Sequence, residues 1–200
     1  MISNVCKIEK GTRDLAAILR ESEKVAVYNE LTHKQTLQLR LLCEEIDGML
    51  PNVIDEFGGE LWIEFTDGVC RVHISIEFAD FTAEKKQELV GISKNKKNAS
   101  ALGIVGKIRS AVEDFFLDEE VVRACAMSTD AHYLTLGYNR MVDYTHTWSL
   151  EQYKRKIEES EKKSEAWDEL EKSVIASVAD DVTVGVKGKK ADVIIVKKFN

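Results

Sequence analysis

The sequence predicts an α/β two-layer sandwich, in which helices cover one face of a single sheet. Strand-like and helix-like segments are interspersed along 200 residues, a length that suits one domain. The dipeptide Asp67-Gly68 separates two segments of alternating apolar residues and predicts a hairpin. A second strand pair with a Gly-Lys-Lys turn ends the chain. Both hairpins are therefore expected in one mixed, largely antiparallel sheet.

The elements before the first hairpin follow from local spacing. Residues 4–9 alternate in strand fashion, and the loosely helical stretch after them has Thr12 as its expected N-cap. The clearest helix follows, because its apolar residues recur three or four positions apart from Leu39 to Leu50. Pro51 is expected to kink or end this helix near Leu50, since a proline lacks the backbone N–H that a helix interior uses.

The first hairpin predicts two distinct faces. Gly58-Gly59 is expected to interrupt the chain before it. The apolar residues of each strand occupy alternate positions and therefore share one face. His73 falls on the opposite face, where a half-exposed strand histidine is the simpler interpretation and a catalytic histidine the other.

The stretch after the hairpin is predicted to be mostly helical. Residues 82–91 are predicted to form a short helix, and residues 117–178 are interpreted as a helical insertion. Within the insertion, Ser149 and Gln152 have the spacing of a capping box. They open a helix rich in Glu and Lys that is expected to run to about residue 178.

Composition narrows the possible functions. A formal net charge of −7 disfavours nucleic-acid binding through a general basic surface. The apolar runs are too short for a membrane-spanning helix or a signal peptide, so a cytoplasmic protein without a membrane partner is expected. The four cysteines and four histidines stand apart along the chain, whereas structural zinc ligands usually occur in closely spaced pairs. No metal site of this kind is expected.

The order of elements resembles that of a known superfamily. The second helix, the first hairpin and the glycine-containing stretch KNASALGIVGKIR (97–109) follow one another as in the GHKL ATP-binding domains of histidine kinases, gyrase and anti-sigma-factor kinases. The anti-sigma type is the most similar. The resemblance covers residues 4–116 and returns in strands at 180–199, with the insertion 117–178 outside it, all in a single domain. It implies a Bergerat-type fold, with ATP and Mg²⁺ as possible cofactors.

Two motifs of the superfamily map onto the helix and the hairpin. Glu45 falls at the position of the water-activating Glu, and Met49 falls four residues later at that of the magnesium-binding Asn. Glu77 falls at the position of the adenine-binding Asp. Ala79 and Phe81 replace the two glycines that follow it.

The glycine-containing stretch maps onto the second glycine loop of the superfamily. Ser100, Leu102 and Gly103 match its pattern, and Lys107 could contact a phosphate, although a solvated helix lysine is the alternative. Backbone N–H groups at a helix start favour anions. The stretch matches neither the P-loop nor the GxGxxG pattern. A tight loop that leads into a core helix is therefore the second interpretation.

The departures from the motifs argue against efficient catalysis. Met49 offers only a thioether, whereas Mg²⁺ prefers oxygen ligands. Glu77 is one methylene longer than Asp, and Phe81 places a ring where the superfamily has bare backbone. The sequence therefore predicts a non-catalytic regulatory or protein-binding module with a protein partner and weak or absent nucleotide binding. The alternative is an active ATP-dependent protein serine kinase of the anti-sigma type. A homodimer, and a role of the insertion in assembly, remain open.

Overall fold

The computed structural model describes most of both ends of the chain. The ranges are 1–9, 14–53, 57–78, 146–159, 173–187 and 190–199, together with Trp167 and Leu170. The strands are β1 Cys6–Glu9, β2 Phe57–Thr66, β3 Val69–Phe78, β4 His146–Ser149, β5 Asp181–Lys187 and β6 Lys190–Lys198. The helices are α1 Leu15–Tyr28, α2 His33–Val53, α3 Leu150–Glu158 and α4 Val174–Val178.

The six strands form one sheet in the order β1-β2-β3-β6-β5-β4, and each neighbouring pair is antiparallel. The predicted hairpins are β2–β3 and β5–β6, which meet where β3 pairs with β6. Asp67 and Gly68 have φ angles of 51° and 76°. A two-residue hairpin turn of this type requires positive φ at both positions, which Asp and Gly tolerate.

One face of the sheet carries the core. Because side chains alternate along each strand, register places the buried apolar residues of β1, β2, β3, β5 and β6 on the same face. Buried apolar residues from each of the described helices belong to the same cluster. The cluster includes Ile18 and Val25 of α1, Leu42 and Ile46 of α2, Ile157 of α3, Ile175 of α4, and Leu61, Ile63, Val72, Ile74, Val184, Val193 and Ile195 of the sheet. The predicted largely antiparallel sheet with helices is confirmed as a mixed α+β fold.

Three local predictions near the N-terminus are wrong. The N-cap of α1 is Asp14, whose carboxylate accepts a hydrogen bond from the backbone N–H of Ala17 at 2.9 Å. Helix α2 continues through Pro51 to Val53, so the predicted end near Leu50 is wrong, whereas the alternative of a kink at Pro51 stays a prediction. Pro51 lies in the last turn of α2. Its missing N–H removes one hydrogen bond to a carbonyl of the preceding turn, and no further helical turn follows that this loss would weaken. Gly58 and Gly59 do not interrupt the chain, because both lie within β2.

The predicted insertion contains a strand. β4 lies within the range 117–178 and pairs with β5 at one edge of the sheet. Ser149 caps α3 as predicted, since its Oγ accepts a hydrogen bond from the backbone N–H of Gln152 at 3.2 Å. The prediction of a single helix from Ser149 to about residue 178 is wrong, because α3 ends at Glu158 and Ser173 caps a separate helix, α4. In the described ranges, no helix is long and apolar enough to cross a membrane.

Candidate functional site

The topology brings the two predicted motif regions to one end of the sheet. α2 ends at Val53, and β2 begins at Phe57, which pairs with Phe78 at the end of β3. We call this the Phe78 end of the sheet. β4 begins near the same end. His146 pairs with Val186, which lies in the row of Ala191 and Ile76, two rows from Phe78. The segment between β3 and β4 therefore leaves and re-enters the sheet at the Phe78 end.

Most of the predicted cofactor-binding residues lie in that connecting segment. Residues 79–145 are outside the described ranges. The predictions for Ala79, Ser100, Leu102, Gly103 and Lys107 therefore stay predictions.

Glu45 is half-buried on α2, between Cys43 and Ile46, which are both fully buried in the core. Its backbone lies about 12 Å along the helix axis from Val53, at a rise of about 1.5 Å per residue. Met49 lies one turn closer to the Phe78 end. Both positions therefore belong to the helical layer.

Glu77 lies on the other side of the sheet. It is exposed and follows Ile76, which is buried on the core face. In register it stands between Gly58 of β2 and Lys190 of β6. Because successive residues of a strand point to opposite faces, Glu77 faces away from the helical layer that holds Glu45. The structure does not bring these two carboxylates into one pocket.

A polar cluster occupies the middle of this outer face. The rings of Trp62 and His73 stack with their centroids 4.9 Å apart and an interplanar angle of 1°. His73 Nε2 lies 3.1 Å from Glu64 Oε2, and Arg71 Nη1 lies 3.8 Å from Glu64 Oε1. The His73 side chain is only 16% exposed. The sequence prediction placed His73 correctly on this face but did not find its partners.

The hairpin turn contained the signal that would have found these partners. In a hairpin with a two-residue turn, residues at equal distances from the turn stand opposite one another. Counting outward from Asp67-Gly68 pairs Glu64 with Arg71 and Trp62 with His73, which is the observed register.

Burial controls the protonation of His73. Burial lowers the pKa of His73 from its ordinary value, while the hydrogen bond and the charge of Glu64 act in the opposite direction. The imidazole is therefore neutral near neutral pH. The neutral imidazole donates a hydrogen bond from Nε2 to the Glu64 carboxylate. This hydrogen bond holds the ring in its stacked position against Trp62.

The described thiols do not form a reactive site. Cys6, Cys43 and Cys70 are buried and free. Burial raises the pKa of Cys43 strongly and that of Cys70 to about 12. Both remain protonated, and a thiol is a poor nucleophile and metal ligand. Within the described part of the chain, no three His, Cys, Asp or Glu side chains converge to hold a metal ion.

Comparison with known proteins identifies no relative: no family model matches the chain, and no curated protein or solved structure shows significant similarity to it.

Proposed function

We propose that this chain is a cytoplasmic regulatory or protein-binding module, built on a GHKL-like scaffold, that performs no catalysis and binds nucleotide weakly or not at all. The pair α1–α2, followed by the β2–β3 hairpin, supports the scaffold, as does the packing of the described helices against one core face of the sheet. A Bergerat-type arrangement is part of this proposal.

The observation that carries the proposal is the placement of Glu45 and Glu77 on different sides of the sheet. A nucleotide held between the helical layer and the sheet would need the adenine acceptor and the general base on the same side. Glu77 is exposed on the outer face, whereas Glu45 lies on α2 in the helical layer. Met49 weakens the site further, since a thioether is a poor ligand for Mg²⁺.

Exposed apolar residues on α2 support the protein-binding half of the proposal. Leu37 and Leu41 are 51% and 38% exposed. Residues four positions apart lie on the same side of a helix. Neighbouring exposed apolar side chains at a helix surface suit contact with another protein. This side of α2 is therefore our candidate surface for a protein partner.

Isothermal titration calorimetry with ATP and ADP, each with and without Mg²⁺, tests the proposal that nucleotide binding is weak or absent. We expect no magnesium-dependent saturable heat, and the variants Glu45→Gln and Glu77→Ala should behave like the parent chain. Micromolar, magnesium-dependent binding that Glu77→Ala abolishes would show that the pocket is intact and the proposal wrong.

The alternative, an ATP-dependent protein serine kinase of the anti-sigma type, rests on the half-buried position of Glu45 on α2. Transfer of label from γ-labelled ATP to protein would support it. Loss of that transfer in Glu45→Gln would then assign Glu45 as the general base. The same transfer by parent and variant would remove Glu45 from the mechanism.

A further inference from the structure

Among the described strands, β1 forms one edge of the sheet, and alternate backbone groups of β1 point away from β2. β1 is the first strand of the sheet, and its neighbour among the described strands is β2. On β2, the N–H of Phe65 donates to Met1 O at 2.8 Å, so this N–H points toward the β1 side. Backbone N–H groups alternate along a strand, so those of Leu61 and Gly59 also point toward β1.

This alternation identifies which residues of β1 are available to a partner. Leu61 and Gly59 stand opposite Cys6 and Ile8. Cys6 and Ile8 therefore exchange hydrogen bonds with β2. The intervening Lys7 directs its N–H and C=O away from β2, to the outer edge of the described sheet, as does Glu9. An edge of this kind accepts another strand.

From this edge, we propose that two copies of the chain join antiparallel through their β1 strands, with the two-fold axis at Ile8, to form one continuous sheet. In this register Lys7 of each copy stands opposite Glu9 of the other. Both positions form hydrogen-bonded pairs, which gives four backbone hydrogen bonds and two pairs of opposite charge across the joint. Directly opposed charges of opposite sign stabilise a strand pair.

The charge pattern selects this register over its neighbour. A two-fold axis at Lys7 would place the two Lys7 residues directly opposite each other, and like charges in that position are destabilising. The exposed residues near this edge include Ile2 and Val5, at 50% and 54% exposure.

Apolar surface beside β1 would extend the interface. A surface groove of about 530 Å³ lies between Met1 and α1, and its lining includes the charged residues Arg20, Glu23 and Lys24. Its apolar and aromatic lining residues Val27 and Tyr28 are 79% and 72% exposed. A two-fold axis perpendicular to the sheet places both helical layers on the same side of the joined sheet. The two α1 helices and their grooves then lie on that same side. Burial of such apolar surface favours association.

Sedimentation equilibrium of the full chain over a range of concentrations tests this proposal. We expect a concentration-dependent dimer, and Lys7→Glu should weaken it about tenfold or more because it opposes two carboxylates. The double variant Lys7→Glu/Glu9→Lys should restore the dimer. The matched control Lys34→Glu makes the same charge change at an exposed position on α2 and should leave the dissociation constant within about twofold.

Each other outcome overturns the proposal. A chain that stays monomeric up to roughly millimolar concentration has no such interface. A dimer that Lys34→Glu weakens as much as Lys7→Glu does, or that the double variant fails to restore, forms through another surface. Far-UV circular dichroism of each variant checks that the fold is retained, since Lys7 also stands opposite Glu60 within the chain. The result is independent of the nucleotide titrations, so either proposal can fail alone.

Discussion

Glu21 connects the edge of the sheet to the helical layer, and its replacement gives the sharpest test of the fold. Its carboxylate accepts hydrogen bonds from the backbone N–H of Asn4 at 3.1 Å and from Asn4 Nδ2 at 3.2 Å. Lys24 Nζ donates to it at 2.6 Å. The Glu21 side chain is 11% exposed, whereas that of Lys24 is 58% exposed.

These contacts set the expected magnitude. A hydrogen bond to a charged group contributes about 1.5–3 kcal/mol, and an exposed ion pair about 0–1 kcal/mol. Glu21→Ala leaves the backbone N–H of Asn4 without its acceptor beside β1. We expect the free energy of unfolding to fall by about 2–4 kcal/mol. Glu21→Gln keeps an acceptor oxygen, so it should lose about 1 kcal/mol.

Urea unfolding followed by circular dichroism measures these changes. The matched control is Glu23→Ala on the same helix, because Glu23 is 53% exposed and forms an ion pair with Arg40 at 3.1 Å. The control should cost less than about 1 kcal/mol. If Glu21→Ala costs no more than Glu23→Ala, the reasoning about this contact is refuted.

The same carboxylate should make stability depend on pH. Burial acts to raise the pKa of Glu21, but hydrogen bonds from Lys24 and Asn4 outweigh it and hold the pKa below the ordinary value of 4.5. The unfolded chain therefore takes up this proton at a higher pH than the folded chain does. The contribution of Glu21 is present above the ordinary pKa and is lost as the pH falls through the folded pKa. Glu21→Gln should lack this acidic loss.

Two further predictions concern the β2–β3 hairpin. Gly59→Ala should lower the midpoint of thermal unfolding, because the added Cβ would collide with the carbonyl oxygen of Ser75. Gly58→Ala is the neutral control, since the space around its Cβ is open. Equal thermal midpoints for the two variants would contradict this. Proton NMR should show His73 titrating below its ordinary pKa of 6.5, and lower still in Glu64→Gln, because burial lowers this pKa and Glu64 opposes that effect. The folded state then binds fewer protons than the unfolded state, so stability should fall as the pH drops below 6.5; a His73 pKa at or above 6.5 would be inconsistent with this environment.

The candidate site was only partly predictable from sequence. Glu45 was correctly placed on a helix and Glu77 at the end of a strand, because each assignment depends on local periodicity. Their placement on opposite sides of the sheet depends on which face of the strands is buried. That face is set by the packing of the helices and the sheet into one apolar cluster. The partners of His73 followed from the hairpin turn and needed no tertiary information.

The sequence by itself determined the features that depend on neighbouring residues: the Asp67-Gly68 turn and the register it sets, the alternating strands, and the Ser149 cap. Tertiary structure alone decided that β3 pairs with β6 and that β4 joins the sheet edge. It also decided that Gly59 lies inside a strand, where the neighbouring backbone leaves no room for a side chain. The physical reason is that turns and periodicity act over a few residues, whereas strand order and close backbone contacts depend on the burial of one shared apolar face.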